Sequence, residues 1–328
     1  MKYWVLLPAV IIAAFMNPAR GVDFLAGAAR EDVSPVTPVR LSGYASRQTE
    51  SAGVAQRLWA KALAISETTG PPAVLVTVDN CGVCAPIVEE VARRLEKKTG
   101  LPRERFTVAS SHTHSAPHTR GFAANIFVSD LPADQQQRLD AYSDFLTDRI
   151  EAVALRAIAV REPAVLTWNE GQVTFAGNRR TPGGPVDHAL PVLSVKSADG
   201  RSLAMVANYA CHCTTLDGNC NEAHGDWAGC AQVELEKRFP GSVAMITIGC
   251  GADANPQPRG TRELAEQHGA ALAAEAETIV RNGGHPLNAA LVCRLKRTEL
   301  PFSPPASREV WQKQSEQPGI TGFLAKRK

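Results

Sequence analysis

Ser111-His112-Thr113-His114-Ser115 sets two imidazoles two residues apart, and on an extended segment side chains at i and i+2 share one side. Both rings can therefore converge on one cavity. Neutral imidazole nitrogen binds zinc, iron, copper or nickel, and the pair alone does not choose among them. His118, just past Pro117, is a candidate further ligand or a pocket wall. One histidine in such a stretch reads as a polar loop residue. Three so close together, hemmed by Ser110, Ser111, Thr113 and Ser115, read as a site.

A second cluster, Asn208-Tyr209-Ala210-Cys211-His212-Cys213-Thr214-Thr215, also ends an apolar run. Loops at strand ends are where α/β folds gather their sites, so His212 is expected to face the crevice of His112. The alternative is a buried histidine bonded to a backbone carbonyl. Downstream, His224-Gly225-Asp226-Trp227 offers His224 as an extra nitrogen and Asp226 as a helix cap or ligand partner. In Gly249-Cys250-Gly251-Ala252-Asp253-Ala254-Asn255-Pro256 the glycines allow backbone amides to approach an anion, or simply a tight turn. Cys81-Gly82-Val83-Cys84 reads as a redox pair, a disulfide or half of a zinc knuckle. Cys211, Cys213, Cys220 and Cys230 read as zinc ligands, local disulfides or free buried thiols.

The elements that must carry these loops alternate. Val74 to Val78 is a β run followed by a helical spacing over Pro86 to Lys98. Arg105 to Ser110 is a strand, and Asp134 to Val160 is a long helix. Four short β runs follow at Ala164 to Asn169, Val173 to Ala176, Leu190 to Lys196 and Leu203 to Tyr209, with Asp199-Gly200 turning between the last two. His224 to Phe239 reads as a helix, Val243 to Ile248 as a buried strand and Arg262 to Arg281 as an Ala-rich helix. The expected fold is α/β, a mixed β-sheet core flanked by helices.

The chain has 328 residues, enough for an ordinary core, and carries 35 Lys and Arg against 33 Asp and Glu. So even a balance argues against a nucleic-acid partner. Lys2, the apolar run Val5 to Met16 and Ala19-Arg20-Gly21 predict a signal peptide over residues 1–21, with a mature start near Val22 and a secreted or periplasmic protein. An uncleaved N-terminal membrane anchor is the alternative. Residues 22–300 are expected to form the α/β domain and 301–328 an irregular tail, an extended arm with a polar helix-like piece.

The order of motifs resembles the N-terminal catalytic domain of the neutral/alkaline (non-lysosomal) ceramidases, over roughly residues 26 to 295. The matching pieces are Ala29-Arg30-Glu31-Asp32-Val33-Ser34-Pro35 with Gly43-Tyr44, the Ser111 to Pro117 block, and Asn178-Arg179. They continue with Asn208 to His212, Gly225 to Gly229 and Gly251 to Pro256. The resemblance implies that His112 and His212 are zinc ligands, that His114 polarises the substrate, and that Arg179 lines the pocket. It also implies a lipid or small-molecule substrate with an N-acyl or ester bond, and peripheral membrane contact. The family takes a further Glu and Tyr ligand from a later region that this chain does not match before Lys328, which makes the domain incomplete at its C-terminus. The family's serine falls at Asn255, or at Ala254 with another gap. Asp226 and Asp253 are the carboxylates placed by sequence order to help, as ligand or general base. A zinc-dependent amide or ester hydrolase is the expectation, and a catalytically silent binding or structural remnant the alternative.

Overall fold

The computed structural model describes residues 24–123, 125–127 and 129–327, so the expected signal peptide lies outside the described residues. In chain order the elements begin with β1 (Phe24–Asp32), β2 (Trp59–Glu67), β3 (Ala73–Val78), α1 (Ala85–Thr99), β4 (Phe106–Ser110) and α2 (Ala133–Ala159). Next come β5 (Glu162–Gln172), β6 (Ala176–Asn178), β7 (Ala189–Ser197), β8 (Ser202–Tyr209), α3 (Asp226–Arg238) and β9 (Val243–Ile248). The last are β10 (Ala254–Pro256), α4 (Arg262–Arg281), β11 (His285–Pro286), α5 (Arg308–Ser315) and α6 (Gly319–Ala325).

The main sheet runs β4-β3-β2-β1-β5-β7-β8-β9, with β11 added on β5, while β6 and β10 pair separately. Both ends are parallel pairs joined through a helix, β3-α1-β4 and β8-α3-β9, and the middle is antiparallel. The expected mixed sheet flanked by helices is what forms. It curls enough to bring β9 alongside β1 to β4.

Local chemistry explains the crossovers. Helix α1 starts with a proline in its first turn, ends with Lys97 and Lys98 against its negative pole, and stops at Gly100 in the left-handed region, φ 71°. Helix α2 buries Leu139, Leu146, Ile150, Val153 and Ala157, a stripe at helical spacing that lies over β1 and β2. Gly27 in β1 permits that approach, since a Cβ there would stand 2.4 Å from the Ala157 carbonyl oxygen.

Three boundaries differ from expectation. Val173 to Phe175 is not strand. The Val173 N–H donates to His188 O and its carbonyl accepts from Tyr209 Oη, so the segment is tied across the sheet end rather than along it. Helix α3 begins at Asp226 because Gly225 is its cap and His224 turns back to accept the Asp226 N–H. The tail is more ordered than an extended arm: α5 and α6 pack together, and Arg327 pairs with Asp130.

One part-buried ion pair ties the curl. Lys61 of β2 is almost fully buried, and its Nζ donates to Glu236 Oε1 at 2.6 Å and to Ala244 O on β9 at 2.9 Å. Glu236 Oε1 also accepts the Ala244 N–H.

Candidate metal centre

Strands β3 and β4 are parallel neighbours, as are β8 and β9, so the loops leaving Val78, Ser110, Tyr209 and Ile248 all start from carboxyl ends. The curl brings the two pairs together. The loops after β4 and β8 carry His112 and His212 to one point, with Nε2 of the two rings 3.2 Å apart. His114 Nε2 lies 3.3 Å from His112 Nε2.

How the two neighbouring histidines converge differs from simple alternation. His112 sits at φ 58°, a left-handed conformation that a β-carbon disfavours by about 1–3 kcal/mol. The segment therefore turns instead of extending. Surrounding bonds hold the turn: Ser111 N–H to Val78 O at 2.9 Å, Thr113 Oγ1 to His224 O at 2.7 Å, and His114 N–H to Cys213 O at 3.3 Å.

The hydrogen bonds also fix which nitrogens are free. His112 Nδ1 faces Cys81 O at 2.6 Å and His212 Nδ1 faces Gly251 O at 2.8 Å, and a carbonyl only accepts. Each Nδ1 therefore carries the hydrogen, and each neutral ring presents a bare Nε2 lone pair. Two lone pairs facing each other at 3.2 Å repel unless a cation lies between them. With metal–nitrogen bonds of about 2.0–2.1 Å, a tetrahedral ion separates two nitrogens by about 3.3 Å. The carbonyl behind each ring is the partner that orients a metal-bound histidine. His114 lacks one: its Nδ1 is buried without a hydrogen-bond partner.

Electrostatics favour the neutral form of His114 and His212. Burial, then His112, His212, Arg47 and Arg179, push His114 down to about 3. Burial also lowers His212, with the Gly251 carbonyl opposing it. Neutral imidazole is the ligating form.

Two residues at the centre were not read as part of it. The Cys81 thiol lies 3.9 Å from His112 Nδ1, and Cys81, His112 and His114 offer ligand atoms all within 4.8 Å of one another. Arg47 is buried and donates to Ser42 O, Ser115 Oγ, Asp217 O, Cys220 O and His114 O, fastening three loops. The CxxC spacing was the one signal for Cys81, and nothing in the sequence marks Arg47.

The other candidates divide. Arg179 is exposed beside the centre, its guanidinium held on Ala252 O at 2.7 Å, and its N–H donates to Asp253 O. The Asp253 carboxylate stands 3.4 Å from Asn178 Nδ2. Asn255 is buried in β10, and its Oδ1 accepts from Thr214 Oγ1 at 3.2 Å. Three residues offered as extra ligands are engaged elsewhere. Asp226 is fully buried and its oxygens accept the N–H groups of Thr215, Leu216 and Trp227, so it splints the His212 loop onto α3. His118 Nδ1 pairs with Ser42 Oγ at 3.2 Å among Phe122 and Phe127, and His224 Nδ1 accepts the Asp226 N–H. Gly251 serves close packing and not an anion cradle, because a Cβ there would lie 2.5 Å from Cys211 N, and its N–H is taken by Gly249 O.

The eight cysteines are free thiols, which leaves no disulfide at Cys81 and Cys84 or among Cys211, Cys213, Cys220 and Cys230. Among the described residues no helix is long and apolar enough to cross a membrane.

A family described as "Neutral/alkaline non-lysosomal ceramidase, N-terminal" matches residues 24–255. Similar curated proteins include neutral ceramidase 1 of Arabidopsis thaliana, 23% identical over 263 residues, covering 75% of this chain and 33% of that one. Neutral ceramidase of Pseudomonas aeruginosa is 27% identical over 229 residues, covering 64% and 33%. The chain thus spans about a third of the length of these relatives. Among solved structures, neutral ceramidase from Pseudomonas aeruginosa superposes with a TM-score of 0.70 at 21% identity, covering 79% of this chain and 45% of that one. A ceramidase complexed with C2 gives 0.69 at 22% identity, covering 79% and 44%.

Proposed function

The chain belongs to the neutral/alkaline non-lysosomal ceramidase family, and from that premise we propose that it is a zinc-dependent hydrolase of N-acyl amide bonds, of the ceramide type, or of esters. The observation that carries this reading is the pair of bare Nε2 lone pairs on His112 and His212, 3.2 Å apart with both Nδ1 atoms committed to carbonyls. These two residues would hold the ion. When bound, zinc supplies Lewis acidity toward a carbonyl oxygen and acidifies water.

The chain's own groups do the rest. His114, neutral and wedged by Tyr44, is placed to hydrogen-bond the scissile group as charge develops on it. Arg179 at the mouth orients a polar or anionic part of the substrate. Asn255 positions through its amide and is no nucleophile at neutral pH, so it does not replace the chemistry of a serine. Asp253, whose carboxylate stands 3.4 Å from Asn178 Nδ2, is the carboxylate offered as general base. Export to the periplasm or medium, with contact at a membrane surface where such lipids reside, is part of the same reading and rests on residues 1–21 and on the substrate class.

The test measures zinc content and fatty-acid release from a panel of N-acyl amides and esters for the intact chain, His112→Ala and His212→Ala. Near-stoichiometric zinc and turnover, both lost in the variants, are expected. An intact chain that holds no zinc when loaded, or turnover unchanged by His112→Ala, would sink the proposal.

A further inference from the structure

Most arginines of the described chain are spent on carboxylates, as Arg30 is on Glu236, Arg138 on Glu50 and Arg262 on Glu222. Those around the metal centre are not. Arg179 Nε and Nη2 both donate to Ala252 O, at 3.0 and 2.7 Å, next to the Gly251 carbonyl that orients His212. Arg259 Nη2 donates to Tyr44 Oη at 3.2 Å, and the Tyr44 ring meets His114 edge-on with centroids 5.1 Å apart. The His114 and His212 rings lie 5.6 Å from one another, so one exposed guanidinium stands behind each of them. Arg180 adds a third exposed cation, and it acts with Arg179 on His212. Among the described residues none of Arg179, Arg180 and Arg259 forms an ion pair. Nearby carboxylates turn elsewhere: Asp253 Oδ2 stands 3.4 Å from Asn178 Nδ2, and Asp217 Oδ1 accepts the Asn219 N–H at 2.9 Å. The group of possible ligands at the centre, Cys81, His112 and His114, contains no Asp or Glu either.

We propose that the substrate of this site carries an oxyanion beside its acyl bond, as an N-acyl amino acid does, and that Arg179, Arg180 and Arg259 receive that group. The inference rests on the N-acyl hydrolase reading above and names its substrate class. A guanidinium without a carboxylate partner presents forked N–H donors that fit two oxygens of an oxyanion at once, whereas the hydroxyl of a neutral amino alcohol offers one. The Ala252 carbonyl and the Tyr44 phenol already hold Arg179 and Arg259 in place, which reduces the ordering cost of binding. In the reaction, water adds its oxygen to the acyl carbon and the C–N bond breaks with its electron pair on nitrogen. Both protons of the water end on that nitrogen, giving a fatty-acid carboxylate and an amino-acid zwitterion.

Calorimetric titration of the full chain with chelator present reads binding without turnover. N-lauroylglycine should bind at least about tenfold tighter than N-lauroylethanolamine, the value of about one charge-assisted hydrogen bond. Added salt should narrow the gap, because exposed charges are screened. Arg259→Gln and Arg180→Gln should each shrink the preference, and Arg308→Gln on the tail helix α5 should leave it as it is. Equal affinities, no binding of N-lauroylglycine, or a preference that none of the site variants changes would overturn the assignment. So would inorganic phosphate binding as tightly as N-lauroylglycine, since the site would then take an anion without an acyl chain. With zinc restored, laurate release from both compounds at equal kcat/KM would leave the hydrolase reading standing and overturn this one. Preferred binding of N-lauroylglycine with no laurate released would sink the hydrolase reading and leave the oxyanion site standing.

Discussion

Acid should unfold this protein through two histidines that lie outside the metal centre. His118 and His224 are 5% and 4% exposed, and burial is the main reason each is pushed from an ordinary 6.5 to about 4, with Arg40 and Arg262 respectively adding repulsion. Glu222 pulls His224 the other way. A depressed folded value means that the unfolded chain binds the proton first, so stability is full above about pH 6.5 and is lost as pH falls toward 4. At pH 5.5 each histidine is about nine-tenths protonated when unfolded and nearly neutral when folded. The slope is therefore about 1 kcal/mol per pH unit for each. From pH 7 to 4.5 the loss is roughly 2 kcal/mol apiece, a few kcal/mol together, against a typical total of about 5–15 kcal/mol. Denaturant midpoints at half-unit pH steps, with chelator present to remove metal linkage, give the slope directly. His118→Gln and His224→Gln should each flatten it by about 1 kcal/mol per pH unit near pH 5.5, whatever they cost at pH 7. Slopes identical to that of the intact chain in both variants would refute the burial argument.

Asn255→Ala should lower kcat by about 10²- to 10³-fold with zinc content unchanged, as for loss of one positioning or oxyanion hydrogen bond, and metal analysis beside steady-state kinetics checks it. Gly27→Ala drives a methyl group into the Ala157 carbonyl and should destabilise the fold by about 1–3 kcal/mol or more, read from the urea midpoint. Lys61→Ala leaves the Glu236 carboxylate to Arg30 and takes away the side-chain donor to the Ala244 carbonyl. It should cost about 1–3 kcal/mol in the same assay, as for a buried acceptor left without its donor, and no measurable change would show that the Lys61 bond to Ala244 O adds nothing to stability.

The fold was legible wherever periodicity was strong. Val74 to Val78, the α1 and α2 spacings, Leu203 to Tyr209, Val243 to Ile248 and the Ala-rich α4 lie within a residue or two of where their patterns place them. Strands β1 and β2 escaped notice because Phe24–Asp32 and Trp59–Glu67 are rich in Ala and carry charges. Their strand character comes from close packing under α2 and from the long β1–β2 ladder, not from branched side chains. At the centre, residue type and loop position were enough to bring His112, His114 and His212 together. The spacing argument reached that result for the wrong geometric reason, since His112 is left-handed. Asp226 looked like a ligand because nothing in a sequence reveals that three backbone N–H groups will consume a carboxylate. Cys81 and Arg47 act through contacts with residues far away in the chain, and such contacts leave no local pattern.

The Lys61–Glu236 pair has a consequence for how copies of this protein behave toward one another. Strand β9 is the last of its sheet, and an outer strand normally offers a row of free donors and acceptors on which a foreign strand can template. In β9 the N–H of Ala244 is taken by the Glu236 carboxylate and its carbonyl by the Lys61 ammonium. The charges that commonly guard such an edge on the solvent side here guard it from inside the curl, where salt screens them least. A solution of this protein should accordingly resist edge-to-edge polymerisation until that pair opens, and the opening of one internal salt bridge would set the onset of its aggregation.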